Sequence, residues 1–161
     1  ALWDNILSTN NCGNISNHCK LPNDMLQRDY FIRIIQEFMA ALAAFLEKEK
    51  DTPDKGLKEL YRQYVGDYDT LRNLTTDELL GYAKEQWKAE ERVDRIEMVA
   101  ELLYAEASLR QNPLRDMLMQ KAFRAFDYVD THSNTFSIGR KQKMATIQQE
   151  LRKAKSSDQA S

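Results

Sequence analysis

Glycine and proline are scarce, with 5 and 3 residues in a chain of 161. Too few turn formers remain for the many tight connections of an all-β domain, so helices are favoured before any pattern is read. Cysteine is limited to Cys12 and Cys19, with His18 between them in an Asn-rich stretch. Four ligands at short paired spacings are lacking, so these are read as free thiols and not as a metal centre. The longest apolar run, Phe38 to Leu46, is nine residues, and a helix needs about twenty to cross a bilayer. The first ten residues place Asp4 and polar side chains where a secretory leader needs a basic start and then an apolar stretch. A cytoplasmic chain with no membrane partner is the expectation. An excess of one charge is lacking too: the formal net charge is −2, which argues against a polyanion as the main partner.

Reactive constellations are equally thin. The glycines stand singly at 13, 56, 66, 81 and 139, so no phosphate-cradling loop is present, and no serine or cysteine sits in a nucleophile elbow. The Glu-x-x-His spacing of di-metal bundles is missing, because Val129 lies three residues before His132. Asp127, Asp130 and His132 come nearest to a metal or acid/base cluster. They fall at a helix end, where the helix dipole favours a histidine without any chemistry. No catalytic, cofactor-binding or metal residue is therefore expected.

What the chain does have is apolar periodicity. With 42% hydrophobic and 30% charged residues it has enough for one ordinary domain. Residues 1–23 show no regular pattern and read as a poorly ordered extension, with Met25 a candidate natural start. Residues 24–155 read as the helical domain, and 156–161 as a frayed tail. Asp24 is placed to cap a first helix whose stripe is Phe31, Ile34, Ile35, Phe38, Met39, Leu42, Phe45 and Leu46. Leu57, Leu60, Tyr61, Tyr64 and Val65 mark a second, ended by Gly66. Thr75-Thr-Asp-Glu78 is a capping-box pattern opening a third, which ends near Trp87. Val93, Ile96, Val99, Ala100, Leu103 and Ala107 form the stripe of a fourth. Asn112-Pro113 breaks it, and Leu114, Met117, Leu118, Ala122, Ala125, Phe126 and Val129 carry a fifth. Phe136 and Ser137 are placed as staple and N-cap of a last helix from Ile138. The acids Glu90, Glu91, Asp94 and Glu97, alternating with Lys88, Arg92 and Arg95, read as a solvated face with local ion pairs.

About six helices with short connections predict an all-α fold, either antiparallel hairpins stacked as in a tetratricopeptide repeat or an irregular bundle. Met25-Leu-Gln-Arg-Asp-Tyr-Phe-Ile-Arg-Ile-Ile-Gln-Glu-Phe-Met39, Tyr104-Ala-Glu-Ala107 and Phe126-Asp-Tyr-Val-Asp-Thr-His-Ser-Asn-Thr-Phe-Ser137 resemble small uncharacterised bacterial all-helical proteins with tetratricopeptide-like hairpins. That resemblance covers most of the chain from Met25 onward and implies a repeat-like helical fold, with no activity to carry over.

Tyr61, Tyr64, Tyr68, Tyr82 and Trp87 concentrate aromatic area in mid-chain. Most belong in a core. Any left on a concave surface would grip a peptide with little rotamer entropy to lose, and Arg62, Arg72 and Arg92 are near enough to pair with its acidic groups. The leading expectation is thus a non-enzymatic helical-repeat scaffold for a protein or peptide partner. A small enzyme or ligand binder with a site between helices is the rival. A deep pocket with convergent polar groups would favour the rival, and a shallow groove with aromatic and arginine residues the scaffold. Two further expectations are weaker. Arg140, Lys141, Lys143, Arg152, Lys153 and Lys155 stand against Glu150 alone on the last helix, a local polyanion cue. The wide apolar face from Phe31 to Leu46 offers a homodimer surface.

Overall fold

The structure is a computed structural model that describes residues 23–48 and 53–159. The cysteine reading and the extension expected over residues 1–23 lie outside the described residues, except for Asn23, which belongs to the first helix. Among those described there are seven helices and no strand. They are α1 (Asn23–Lys48), α2 (Pro53–Tyr64), α3 (Tyr68–Asn73), α4 (Thr76–Gln86), α5 (Ala89–Leu109), α6 (Leu114–His132) and α7 (Ile138–Gln159). Helix α1 begins at Asn23, so Asp24 lies in its first turn and not ahead of it. Helix α7 runs on to Gln159, through most of the segment expected to fray.

Local chemistry sets each boundary. Pro53 opens α2, where its missing N–H is no loss. Beyond α2 the Val65 and Gly66 amides both donate to the Tyr61 carbonyl oxygen, at 2.8 and 2.7 Å. Gly66 sits at φ +146°, and an added Cβ would lie 2.6 Å from the Tyr82 hydroxyl. Only glycine fits that turn. The six-residue α3 was not expected. Asp67 caps it by accepting from the Thr70 amide at 2.9 Å and the Thr70 hydroxyl at 2.8 Å. Thr75 caps α4 by accepting from the Glu78 amide at 3.2 Å, and its hydroxyl donates to the Glu78 carboxylate at 3.1 Å. Ser137 caps α7 through the Arg140 amide at 3.2 Å. The expected staple is absent, since Phe136 is 68% exposed.

Helix α5 is the hub. It packs on α1, α2, α4 and most extensively on α6, with α7 laid on α6. Met98 to Leu103 and Ala105 to Ala107 are buried without interruption. A helix enclosed on every side shows no exposed stripe, which is why the spacing of Val93, Ile96, Val99 and Leu103 understated its burial. Of the α1 stripe, Phe31, Ile35, Phe38, Leu42 and Phe45 are buried. Met39 and Leu46 are 37% and 42% exposed, so little of the proposed dimer face remains free.

The charged first half of α5 is not a solvated face. Asp94 pairs with Arg28 of α1 and Glu97 with Arg140 of α7. Arg95 bridges Glu91, donates to the Tyr64 carbonyl oxygen and lies over the Phe31 ring at 5.1 Å. Only the Arg95–Glu91 pair is the expected i, i+4 contact. The others join helices, because a hub has neighbours on all sides and long charged side chains must end on them.

Candidate functional site

Helix α6 shows one face to the core and leaves a second between its neighbours. Phe123 and Tyr128 stand off the Leu118, Ala122, Ala125, Phe126 and Val129 stripe and are half-buried, and Arg124 beside them is exposed. An open groove of about 460 Å³ lies between the start of α4 and this face, lined by Thr75, Thr76, Asp77, Phe123, Arg124, Asp127, Tyr128, Thr131 and His132. His132 stacks on Tyr128 with centroids 3.9 Å apart, and its Nδ1 donates to the Tyr128 carbonyl oxygen at 2.8 Å. That bond fixes the ring at the helix end. Asp130 points elsewhere, to Arg140 at 3.2 Å and to Lys141, and these cations hold its carboxyl below the ordinary value, Lys141 foremost. The Asp127, Asp130 and His132 trio is therefore not one cluster. No group of three or more metal-ligating side chains occurs among the described residues.

A second groove, about 360 Å³, runs along the other side of Phe123 and Arg124, between α6 and the last turns of α7. Asp116, Gln120, Leu151, Ala154, Lys155 and Asp158 complete its lining. Both grooves are open to solvent.

The densest buried chemistry lies elsewhere, where α2, α3 and α5 meet. Glu106 is fully buried. Its Oε1 accepts from the Tyr68 hydroxyl at 2.7 Å, Arg72 Nε at 3.0 Å and Arg110 at 3.2 to 3.3 Å. Arg110 continues to Asp54. Lys121 of α6 donates to the Arg72 carbonyl oxygen at 2.7 Å. Glu106 Oε2 and the buried Tyr61 hydroxyl have no hydrogen-bond partner. Burial pushes the Tyr61 phenol far above its ordinary value, with Glu106 adding to it. Burial first, and then the bond to Glu106, push Tyr68 up to about 12. Tyr68, held so firmly protonated, donates to Glu106, and neither phenol acts as a base at neutral pH. The cluster ties three helices together around a fully buried carboxylate.

Most of the aromatic residues singled out from the sequence prove to be core. Tyr61, Tyr64, Tyr68 and Trp87 are buried, in edge-to-face pairs Phe38–Tyr64, Tyr61–Tyr68 and Tyr82–Trp87. Their faces are not offered to a peptide. Tyr82 is half-buried, and its hydroxyl fills the space beside Gly66. Arg92 is committed to the end of α4, donating to the Ala83 and Trp87 carbonyl oxygens at 3.2 and 3.3 Å. Arg62 is exposed and paired with Glu59. The fold thus brings Tyr61 together with Tyr68, and Tyr82 with Trp87 and Arg92, while Arg62 stands apart on the surface. The basic residues of α7 are likewise partly committed: Arg140 is 3% exposed between Glu97 and Asp130, and Lys143 reaches both Glu101 oxygens at 2.6 Å. Half of the polyanion cue, Arg140, Lys141 and Lys143, is thus charge that docks α7 on its neighbours, while Arg152, Lys153 and Lys155 are exposed. Phe123, Arg124 and Tyr128 were missed; their one signal was aromatic area off an otherwise regular stripe.

Among the described residues no helix is long and apolar enough to cross a membrane. Comparison with protein-family models, curated proteins and solved structures finds no match to this chain.

Proposed function

We propose that the protein is a non-enzymatic helical scaffold that binds a protein or peptide partner, and that the partner lies in the groove between α4 and α6. The observation that carries this reading is the shape and lining of that groove: open, elongated along a helix, with Phe123, Tyr128 and Arg124 beside threonine hydroxyls and two carboxylates. Aromatic and arginine side chains supply contact area and directional hydrogen bonds at low entropic cost, which is how short segments are held on helical scaffolds. The buried Glu106 cluster supports the non-enzymatic side of the reading, since its carboxylate is engaged by Tyr68, Arg72 and Arg110. The test compares the wild type with Asp127→Lys/Tyr128→Ala, which line this groove and not the one beside α7, as baits in source-cell extract, with their melting curves recorded. A partner retained by the wild type and lost by an equally stable double variant is expected. Identical captures would contradict this location.

A further inference from the structure

Helix α7 sits on the protein as a bound ligand would. Of its 22 residues, Ile147 and Arg140 are the buried ones, with Met144 and Leu151 packed partly against the core. Ion pairs add to its attachment: Arg140 to Glu97 and Asp130, Lys141 to Asp130, Lys143 to Glu101, and Glu150 to Arg115. Its two ends carry few apolar anchors, although the Ser137 cap and Arg140 fix the first turn. Phe136 and Ile138 at the start are 68% and 62% exposed, so the connection adds no apolar anchor. Toward the other end, the open groove against α6 separates its last turns from Phe123 and Arg124. The seat it covers is acidic: beneath α7 Glu101 is buried, and burial raises the Glu97 carboxyl against the opposing pull of Arg140. An acidic seat on the hub needs a cation, whoever supplies it.

We propose that the α5–α6 surface beneath α7 is a second interaction site, for a basic amphipathic helix of a partner, and that α7 is its built-in competitor. The partner helix presents an arginine and a lysine three positions apart for Glu97, Asp130 and Glu101, and an isoleucine-sized anchor seven positions after the arginine. Those are the positions of Arg140, Lys143 and Ile147. Charge complementarity picks this class of partner: an acidic helix would set its carboxylates against Glu97 and Glu101. The site is separate from the α4–α6 groove, so either reading can fail without the other.

The probe is a fluorescein-labelled peptide with the sequence of residues 138–159, added to the full chain and followed by anisotropy at low salt. Weak binding to the wild type is expected, because α7 competes from within. Arg140→Glu/Lys143→Glu weakens the resident helix and leaves the seat intact, so binding should tighten at least tenfold. Glu97→Lys/Glu101→Lys should abolish it, as should glutamine at the peptide's three first cations. The proposal is overturned if the peptide binds the reversed seat equally well. It is also overturned if it binds neither wild type nor Arg140→Gln/Lys143→Gln, or if both helix variants unfold the whole molecule, since α7 would then be integral to the fold.

Discussion

At the scale of single residues, the buried acids of α5 matter most. Glu106 accepts from a tyrosine and two arginines while fully buried. Removing an acceptor of that kind strands its partners, so Glu106→Ala should cost about 3 kcal/mol in urea unfolding, and Glu106→Gln clearly less because an acceptor oxygen remains. The tyrosines give a pH signature. Tyr68 and Tyr61 keep their protons in the fold above the ordinary value of 10.0, so between pH 10 and about 12 the unfolded chain binds fewer protons and stability falls as pH rises. Absorbance near tyrosinate wavelengths should show these two phenols ionising only together with alkaline unfolding. Early ionisation in the folded protein would contradict their burial. Gly66→Ala meets both a positive φ and the Tyr82 hydroxyl, and should cost more than about 1 kcal/mol. Little of this was legible in the sequence. Glu106 falls among α5 residues whose pattern admits a solvent-facing acid, and only the enclosure of α5 by four helices turns it inward.

At the scale of elements, the boundaries were readable because they are local. Thr75, Ser137 and Gly66 act within five residues of themselves, and their caps and turn stand as expected, while Pro53 opens α2 by an equally local effect. Helix α3 escaped because six residues carry too little periodicity, though Asp67 and Thr70 form a cap that could have signalled it. Thr75→Ala should cost about 1 kcal/mol, read as a lower melting temperature with unchanged helix content. The charge patterns misled for the opposite reason. An i, i+4 alternation looks the same whether the partners lie on the same helix or on another, so Asp94, Glu97 and Arg95 were assigned to solvent and prove to join α5 to α1, α2 and α7. The basic run of α7 misled likewise, since Arg140 and Lys143 neutralise acids that lie about forty residues earlier in the chain. Asp67 and Asp130 are both held below the ordinary carboxylate value of 3.8 by the groups bonded to them. Their contribution is present above that pH and is lost as pH falls through the lower folded-state values. Carbon-13 carboxyl titration should find both below 3.8 and Glu97, raised mainly by burial, above 4.5.

At the scale of the whole molecule, the helices differ in how they are held. Helix α5 is buried almost all round from Met98 to Ala107, whereas α7 offers one fully buried aliphatic side chain, Ile147. Burying such a side chain contributes about 1.5 to 3 kcal/mol gross, while ordering backbone costs about 1 to 2 kcal/mol per residue. Local hydrogen bonds and ion pairs must therefore hold most of α7, and salt weakens those pairs wherever water reaches them. The all-α class was legible from composition and stripes. Which helix becomes the hub was not, because centrality depends on contacts between segments far apart in sequence. Native-state hydrogen exchange at low and high salt tests this hierarchy most directly. The amides of α5 should exchange only through global unfolding at either salt, while those of α7 open at lower free energy and still more readily in high salt. Equal protection of the two helices, unchanged by salt, would contradict the account.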